Sequence, residues 1–332
     1  MAEMNNASAL EIKKQMDAKF SRQGVAQGLL SGITFAINGV IIGLALTMAP
    51  FTSGASVFVA PLVGAAMNDG MAAIWLLIYN IFKGNFREIG RSFKTFPGFM
   101  VCMAAVLGGP IANGAYLLAI QFAGPAYAIP ISALCPVVGA ILGRIFLKQK
   151  ISPRVAFGML ICVAGAILIG YVPPEGNSPN FYLGIICAII AAFGWGAEGV
   201  LSAFGMSMVD PNVAINIRQA TSGIIFTLVV LPLVAGFRMY GELLATPSTL
   251  VVVAMAALAA AISFLSWYKA NSSIGVARGM ALNITYSLWG IVFSFFLGGV
   301  VLTKNLVIGA IAVFIGALLV VINPLEMFSK GE

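Results

Sequence analysis

The sequence contains no histidine, and only 9% of its 332 residues are charged. Without histidine there is no Ser-His or Cys-His dyad, and the commonest ligand of transition metals is missing. The four cysteines lie singly in apolar stretches without a C-x-x-C spacing, so neither a zinc site nor a disulfide framework is expected. We therefore predict no bound cofactor and no enzymatic activity.

Apolar residues are abundant: 60% of the chain is hydrophobic, and the mean hydropathy is +1.01. A soluble domain has about 25% charged residues and about half apolar residues. This composition predicts an all-α integral membrane protein that is surrounded by the lipid bilayer. The net charge of +7 does not indicate nucleic-acid binding, because the basic residues are dispersed among loops.

Apolar runs of about 20 residues are long enough to cross a hydrocarbon core of ~30 Å. Such runs predict about ten transmembrane helices. The predicted spans cover residues 24–48, 55–82, 97–122, 126–147, 154–171, 181–208, 212–236, 249–268, 275–297 and 305–322.

The loops between these spans indicate the orientation. Most of the 18 Lys and Arg residues lie before the first span, between the second and third, and around the loop between the fourth and fifth. The intervening loops, 49–54 and 123–125, carry no charge. By the positive-inside rule, both termini are expected in the cytoplasm, with the protein in a bacterial-type cytoplasmic (inner) membrane.

The chain also repeats itself. A shift of 151 positions superposes four glycines of the first half on four glycines of the second: Gly124 on Gly275, Gly139 on Gly290, Gly158 on Gly309, and Gly165 on Gly316. Two halves of five spans each must have opposite orientations, which is the architecture of many secondary transporters, with the site near the midplane. The predicted units are a cytoplasmic tail 1–23, a first repeat 24–172, an extracytoplasmic linker 173–180, a second repeat 181–324 and a cytoplasmic tail 325–332.

Several motifs of the first half are shared with a known family. They are a small-residue turn at 123–126, the pair Cys135-Pro136, a hinge at 146–152, and the glycines Gly158 and Gly165. With them the chain resembles the EamA-type repeat of the drug/metabolite transporter superfamily. The resemblance covers both halves and implies a ten-span inverted-repeat carrier.

Stretches inside the spans are similar to a narrower group. They include Gly109-Pro110-Ile111, Trp195-Gly196-Ala197-Glu198, Ile217-Arg218-Gln219 and residues 282–289. These stretches resemble the bacterial choline uptake permeases of that superfamily, and the resemblance implies uptake of a choline-like amine. The first span departs from that group, because Asn38-Gly39 stands where the group has Trp-Gly.

Three charged residues interrupt the predicted spans. Asp69 lies near the middle of the second span, Glu198 ~15 Å deep in the sixth and Arg218 ~9 Å deep in the seventh. Because there are two acidic residues and one basic residue, one acid is left without a basic partner. We predict that Asp69 and Arg218 form a coupling or structural ion pair. Glu198 is then the unpaired acid, because Trp195 shares its helix face.

An unpaired carboxylate beside an aromatic ring suits a monovalent organic cation. Further polar and aromatic residues recur at helical spacing and are predicted to line the same binding site. They are Asn283, Tyr286 and Trp289 on the ninth span, Asn113 and Tyr116 on the third, and Asn38 on the first. The alternative for the aromatic residues is helix packing. Trp267 and Tyr268, at the inner end of the eighth span, are predicted to lie at the membrane interface.

The sequence thus predicts a secondary transporter that takes up a small organic cation, a choline-like quaternary or primary amine, with proton coupling and alternating access. The alternative is a carrier or exporter of neutral metabolites, amino acids or drugs, in which Glu198 is a coupling residue. The predicted partner is a small-molecule substrate. The sequence leaves monomer and dimer open.

Overall fold

The computed structural model describes residues 2–52, 59–123, 131–132, 134–148, 150–170, 181–296 and 304–321. These residues form helices joined by short turns, and no strand occurs among them. The helices of the first half are α1 (Ala2–Leu46), α2 (Val59–Phe82), α3 (Phe86–Ser92), α4 (Phe96–Val106), α5 (Gly114–Ala123), α6 (Cys135–Phe146) and α7 (Pro153–Gly170). Those of the second half are α8 (Phe181–Gly205), α9 (Pro211–Ile225), α10 (Phe237–Leu244), α11 (Pro247–Ile274), α12 (Val276–Asn283), α13 (Tyr286–Phe296) and α14 (Lys304–Val321).

Six helical segments in these ranges are long and apolar enough to cross a membrane, and three shorter helices are also apolar. The six are Lys19–Leu46, Val59–Phe82, Phe96–Tyr116, Tyr182–Gly205, Pro211–Leu233 and Pro247–Ile274. The all-helical membrane architecture agrees with the prediction. The number of ten spans and the inverted orientation of the halves stay predictions.

Helices of the first half pack mainly against helices of the second. The most extensive contacts join α1 to α11, α7 to α14, α2 to α9, and α4, α5 and α6 to α8. The two halves therefore share one interior, and side chains from both meet there.

Two repeated glycines allow the closest of these approaches. A Cβ at Gly165 of α7 would lie 2.7 Å from the carbonyl oxygen of Gly309, and a Cβ at Gly316 of α14 would lie 2.7 Å from that of Gly158. Real Cβ atoms do not come this close to backbone atoms, so only glycine fits. The sequence repeat places these four glycines at one reciprocal helix crossing.

The ninth predicted span is broken. A single helix over 275–297 is wrong, because α12 ends at Asn283 and α13 begins at Tyr286. The Thr285 hydroxyl between them donates to the Leu282 carbonyl at 2.6 Å. A discontinuous helix frees backbone groups beside a cavity and is common at transporter binding sites. Neither glycine nor proline marks the break in the sequence.

The third predicted span is irregular rather than a uniform α-helix. Between α4 and α5, residues Leu107–Asn113 form a π-helical turn that contains Pro110. Proline cannot donate a backbone hydrogen bond, and π-helical turns are frequent at functional sites. This turn faces α8 and carries Asn113 towards the interior.

Candidate substrate site between the two halves

A cavity of about 330 Å³ lies between the two halves of the chain. Its polar lining includes Asn38, Asn68, Asp69 and Asn113 from the first half, and Glu198, Arg218 and Asn283 from the second. Its aromatic lining is made of Phe35, Tyr116, Trp195, Phe264, Trp267 and Tyr286. The cavity is therefore apolar in most of its wall, with a few polar groups that converge on one space, as small-molecule sites usually are.

One ion cluster forms the charged part of the wall. The Arg218 Nε donates to Glu198 Oε1 at 2.5 Å, and its Nη1 lies 3.6 Å from Asp69 Oδ2. The three side chains are each at most 3% exposed. Arg218 Nη1 also donates to the Gln219 side chain, and Ser222 Oγ donates to Asp69 Oδ2 at 2.6 Å. The guanidinium thus bridges two buried carboxylates.

The prediction that Glu198 has no basic partner is wrong. Glu198 is the acid closest to Arg218, while Asp69 is the more distant acid and accepts a hydroxyl hydrogen bond from Ser222. The long arginine side chain reaches carboxylates on two different helices, which spacing along one helix cannot reveal. The cluster still contains two acids and one base.

The start of α9 fixes the height of Arg218 in the bundle. The Asp210 side chain caps this helix by accepting from the Asn212 backbone N–H at 2.8 Å, and Pro211 occupies the first turn. Both are strong signals for a helix start. Arg218 lies two turns further and reaches Asp69 on α2 and Glu198 on α8.

Trp195 is held one turn before Glu198 on α8. Its indole N–H lies 3.1 Å from both the Gly108 carbonyl and Asn113 Oδ1. The Tyr116 and Trp195 rings are 5.2 Å apart at 53°. The π-helical turn therefore supplies the acceptors that orient this ring at the cavity wall.

A second group of aromatic rings belongs to the cavity lining. The Phe35 ring is 4.9 Å from the Tyr286 ring and 6.1 Å from the Phe264 ring. The Arg218 guanidinium carbon lies 5.0 Å from the centre of the Phe264 ring. One ring face of the site is thus already in contact with a cation.

The amides of the site are hydrogen-bonded to groups on α1, α2 and α11. Asn38 Nδ2 donates to Asn68 Oδ1 at 2.9 Å and to the Ala256 carbonyl at 2.8 Å. Asn283 Nδ2 donates to Ser31 Oγ at 2.7 Å. The Ala256 carbonyl orients the Asn38 amide, because a carbonyl can only accept and so identifies the nitrogen facing it.

The cavity brings together all but one of the predicted site residues. Asn38, Asp69, Asn113, Tyr116, Trp195, Glu198, Arg218, Asn283 and Tyr286 line it. Trp289 is outside the lining and stacks on Phe293, with ring centres 6.3 Å apart at 27°. Trp289 lies one turn beyond Tyr286 on α13.

Three lining aromatics lay outside the predicted site: Phe35, Phe264 and Trp267. The interface position predicted for Trp267 and Tyr268 is wrong, because the two residues are 8% and 0% exposed. The α11 helix continues to Ile274, which carries both side chains into the interior. Phe35 and Phe264 lie in long apolar stretches of the sequence, where nothing distinguishes a residue that lines a cavity from one that faces lipid.

No group of three or more Cys, Asp and Glu side chains gathers within the described ranges, so these residues offer no metal site. The ion cluster of Asp69, Glu198 and Arg218 has the composition of a charged binding or coupling site instead.

The fold and the cavity define a multi-pass membrane protein built from two halves around a central polar site. The model of the EamA-like transporter family matches residues 22–171 and 182–322. The chain belongs to the EamA-like transporter family, which is a family of transporters rather than enzymes. The predicted resemblance to EamA repeats is confirmed.

The chain is also similar to individual proteins. It is 31% identical over 190 residues to Protein LicB of Haemophilus influenzae (strain ATCC 51907 / DSM 11121 / KW20 / Rd), over 57% of this chain and 63% of LicB. A crystal structure of a protein with 17% sequence identity superposes with a TM-score of 0.67 and covers 92% of this chain and 99% of its own. At this identity the superposition shows the fold alone.

Proposed function

We propose that this chain is a secondary transporter that takes up a small organic cation, a choline-like quaternary or primary amine, through the central cavity. The observation that carries the proposal is the excess of acid in the buried ion cluster. Asp69 and Glu198 face the single guanidinium of Arg218, and no other charged residue belongs to the described lining. An organic cation neutralises the remaining negative charge.

The energetic argument rests on burial. An uncompensated charge inside a membrane protein costs several kcal/mol, so the cluster gains from a positive partner. A proton on one of the acids provides the same neutralisation. An amine and a proton that compete for the same acid, Asp69 or Glu198, would move in exchange for one another, and this supports proton coupling.

The aromatic walls support an amine over an inorganic ion. Tyr116 and Trp195 form one pair of rings in the cavity lining, and Phe35, Phe264 and Tyr286 form a second group. Aromatic faces attract alkylammonium groups. A volume of about 330 Å³ is at the small end of ligand sites, which fits a small amine. The resemblance of the span interiors to choline uptake permeases supports the same class.

The amides add hydrogen-bonding groups for the rest of the substrate. Asn38 uses its Nδ2 for Asn68 and Ala256, which leaves its Oδ1 without a partner among the described residues. Asn113 accepts from Trp195 through Oδ1, so its Nδ2 remains available within the same ranges. These groups are proposed to orient the polar end of the amine.

Alternating access is proposed because the site lies between the two family repeats. Residues 22–171 contribute Asn38, Asp69 and Asn113, while residues 182–322 contribute Glu198, Arg218 and Asn283. Movement of one repeat against the other would open the site to either side. We also propose that the protein lies in a cytoplasmic membrane with both termini inside.

The test is uptake of labelled choline and of primary amines into proteoliposomes, with a proton gradient in either direction and without one. The variant is Glu198→Gln, and its matched control is Glu242→Gln, which makes the same chemical change in an exposed pair with Arg238. Wild type and the control should accumulate the amine, and Glu198→Gln should not. Undiminished uptake by Glu198→Gln would refute the proposal.

The second candidate is a carrier or exporter of neutral metabolites, amino acids or drugs. The 2.5 Å contact between Arg218 and Glu198 favours it, because an acid already paired with a base suits a coupling role. Thermal stabilisation of the purified protein by a panel of amines and of neutral amino acids separates the two. Stabilisation by the neutral compounds only would support the second candidate.

A further inference from the structure

The π-helical turn Leu107–Asn113 contains two adjacent buried glycines, Gly108 and Gly109. If Gly108 carried a Cβ, the three nearest atoms would all belong to the Glu198 carboxyl group, and two of them would overlap it. A Cβ at Gly109 would overlap the Ser222 hydroxyl in the same way. The absent side chains therefore leave the space that two parts of the ion cluster occupy.

The lack of room for a Cβ atom, and not the backbone conformation, explains why positions 108 and 109 are glycine. Among the described glycines, positive φ angles occur at Gly84 and Gly275, and neither Gly108 nor Gly109 adopts one. An alanine would be allowed at either position by its backbone angles. The obstacle is the end of a side chain in each case, the carboxyl group of Glu198 and the hydroxyl of Ser222, and both groups are buried and held by hydrogen bonds.

The two contacts reach both acids of the cluster. Glu198 touches the turn at Gly108 directly, and its oxygen accepts from Arg218. Asp69 accepts from Ser222, and the Ser222 hydroxyl lies against Gly109. The Gly108 carbonyl also accepts from Trp195. One short turn thus contacts Glu198 directly, Asp69 through Ser222, and the neighbouring Trp195 ring through its N–H.

We propose that Gly108 and Gly109 are positioning residues. Their missing side chains let the π-helical turn set where the Glu198 carboxylate and, through Ser222, the Asp69 carboxylate lie beside Arg218. The transport measurement below rests on the proposed function. The thermal measurements do not, because the positions of the carboxylates are a property of the folded chain.

A double-mutant cycle on thermal stability tests the direct contact. Gly108→Ala should lower the melting temperature of the purified protein by about 5 °C or more, since overpacking a buried site is destabilising. In a Glu198→Ala background the same substitution should lower it by less than about 1 °C, because the overlapping group is gone. The matched control is Gly114→Ala in the next turn, where a Cβ would meet nothing within 4 Å.

Gly109 has its own cycle, with Ser222→Gly as the second substitution, because the nearest atoms to a Cβ there are the Ser222 Oγ and Cβ. If Gly108→Ala or Gly109→Ala fails to fold alone, its double variant should fold. Failure of single and double variants alike would overturn the proposal. An equal melting shift in both backgrounds would also overturn it, as would a Gly108→Ala protein as stable as Gly114→Ala.

Transport separates positioning from mere packing. Gly108→Ala should slow amine uptake by roughly tenfold or more, since small misplacements of a binding group are costly. Adding Glu198→Asp withdraws the carboxylate by one methylene and should restore part of the rate, which a packing defect alone would not allow. If wild type takes up no amine, the proposed function fails, while the two thermal cycles still decide whether the glycines position the acids.

Discussion

Replacing Arg218 by methionine tests whether the ion cluster is energetically essential. Methionine keeps much of the apolar length of arginine but removes the charge. The substitution leaves two carboxylates, each at most 3% exposed, without the guanidinium that contacts Glu198 at 2.5 Å and Asp69 at 3.6 Å. Removing one partner of a buried pair costs about 3–5 kcal/mol, and two stranded acids put the loss at the upper end.

The matched control is Arg238→Met. Arg238 contacts Glu242 at 2.9 Å, but its side chain is 91% exposed. An exposed pair of this kind contributes about 0–1 kcal/mol. The two substitutions are chemically identical and differ in burial, so the contrast isolates the effect of the surroundings.

The assay is thermal unfolding of the purified variants in detergent, followed by tryptophan fluorescence. A loss of about 5 kcal/mol corresponds to a melting shift of roughly 10 °C or more, whereas Arg238→Met should shift it by only about 2 °C. Combining Arg218→Met with Asp69→Asn and Glu198→Gln should recover most of the loss, because no buried charge is then left without a partner. Equal shifts for the two arginines, or no recovery in the triple variant, would refute the reasoning.

Two further predictions concern Trp195 and the glycine crossing. Trp195→Phe keeps an aromatic ring but loses the N–H that contacts Gly108 and Asn113, so it should cost about 1–3 kcal/mol and weaken amine-induced stabilisation. Trp75→Phe is its control, because the Trp75 N–H makes one bond of 3.0 Å to the Ala254 carbonyl and Trp75 lies outside the cavity lining; it should leave amine-induced stabilisation unchanged. Gly165→Ala should destabilise the α7–α14 crossing by about 1–3 kcal/mol, whereas Gly241→Ala, with nothing within 4 Å of the new Cβ, should be neutral or slightly stabilising in the same melts. A stable Gly165→Ala protein would contradict the packing argument.

The sequence by itself determined the class of the protein. A charged fraction of 9% and long apolar runs leave a helical membrane protein as the consistent architecture, and the repeated glycines and shared motifs indicate the EamA family. The same scarcity of charge made Asp69, Glu198 and Arg218 visible, because a charge inside an apolar run is costly and rarely incidental.

Only the tertiary structure decided how these residues meet. Helical spacing relates Trp195 to Glu198 along one helix, but it contains no information on which acid faces Arg218 across the bundle. The break after Asn283 likewise lies in a stretch without glycine or proline, and only the tertiary structure places Tyr286 in the cavity lining and leaves Trp289, one turn further along α13, outside it. Phe35, Phe264 and Trp267 belong to the cavity for the same reason: an apolar side chain looks alike in sequence whether it faces lipid, core or ligand, and only the packing of helices distant in sequence distinguishes the three.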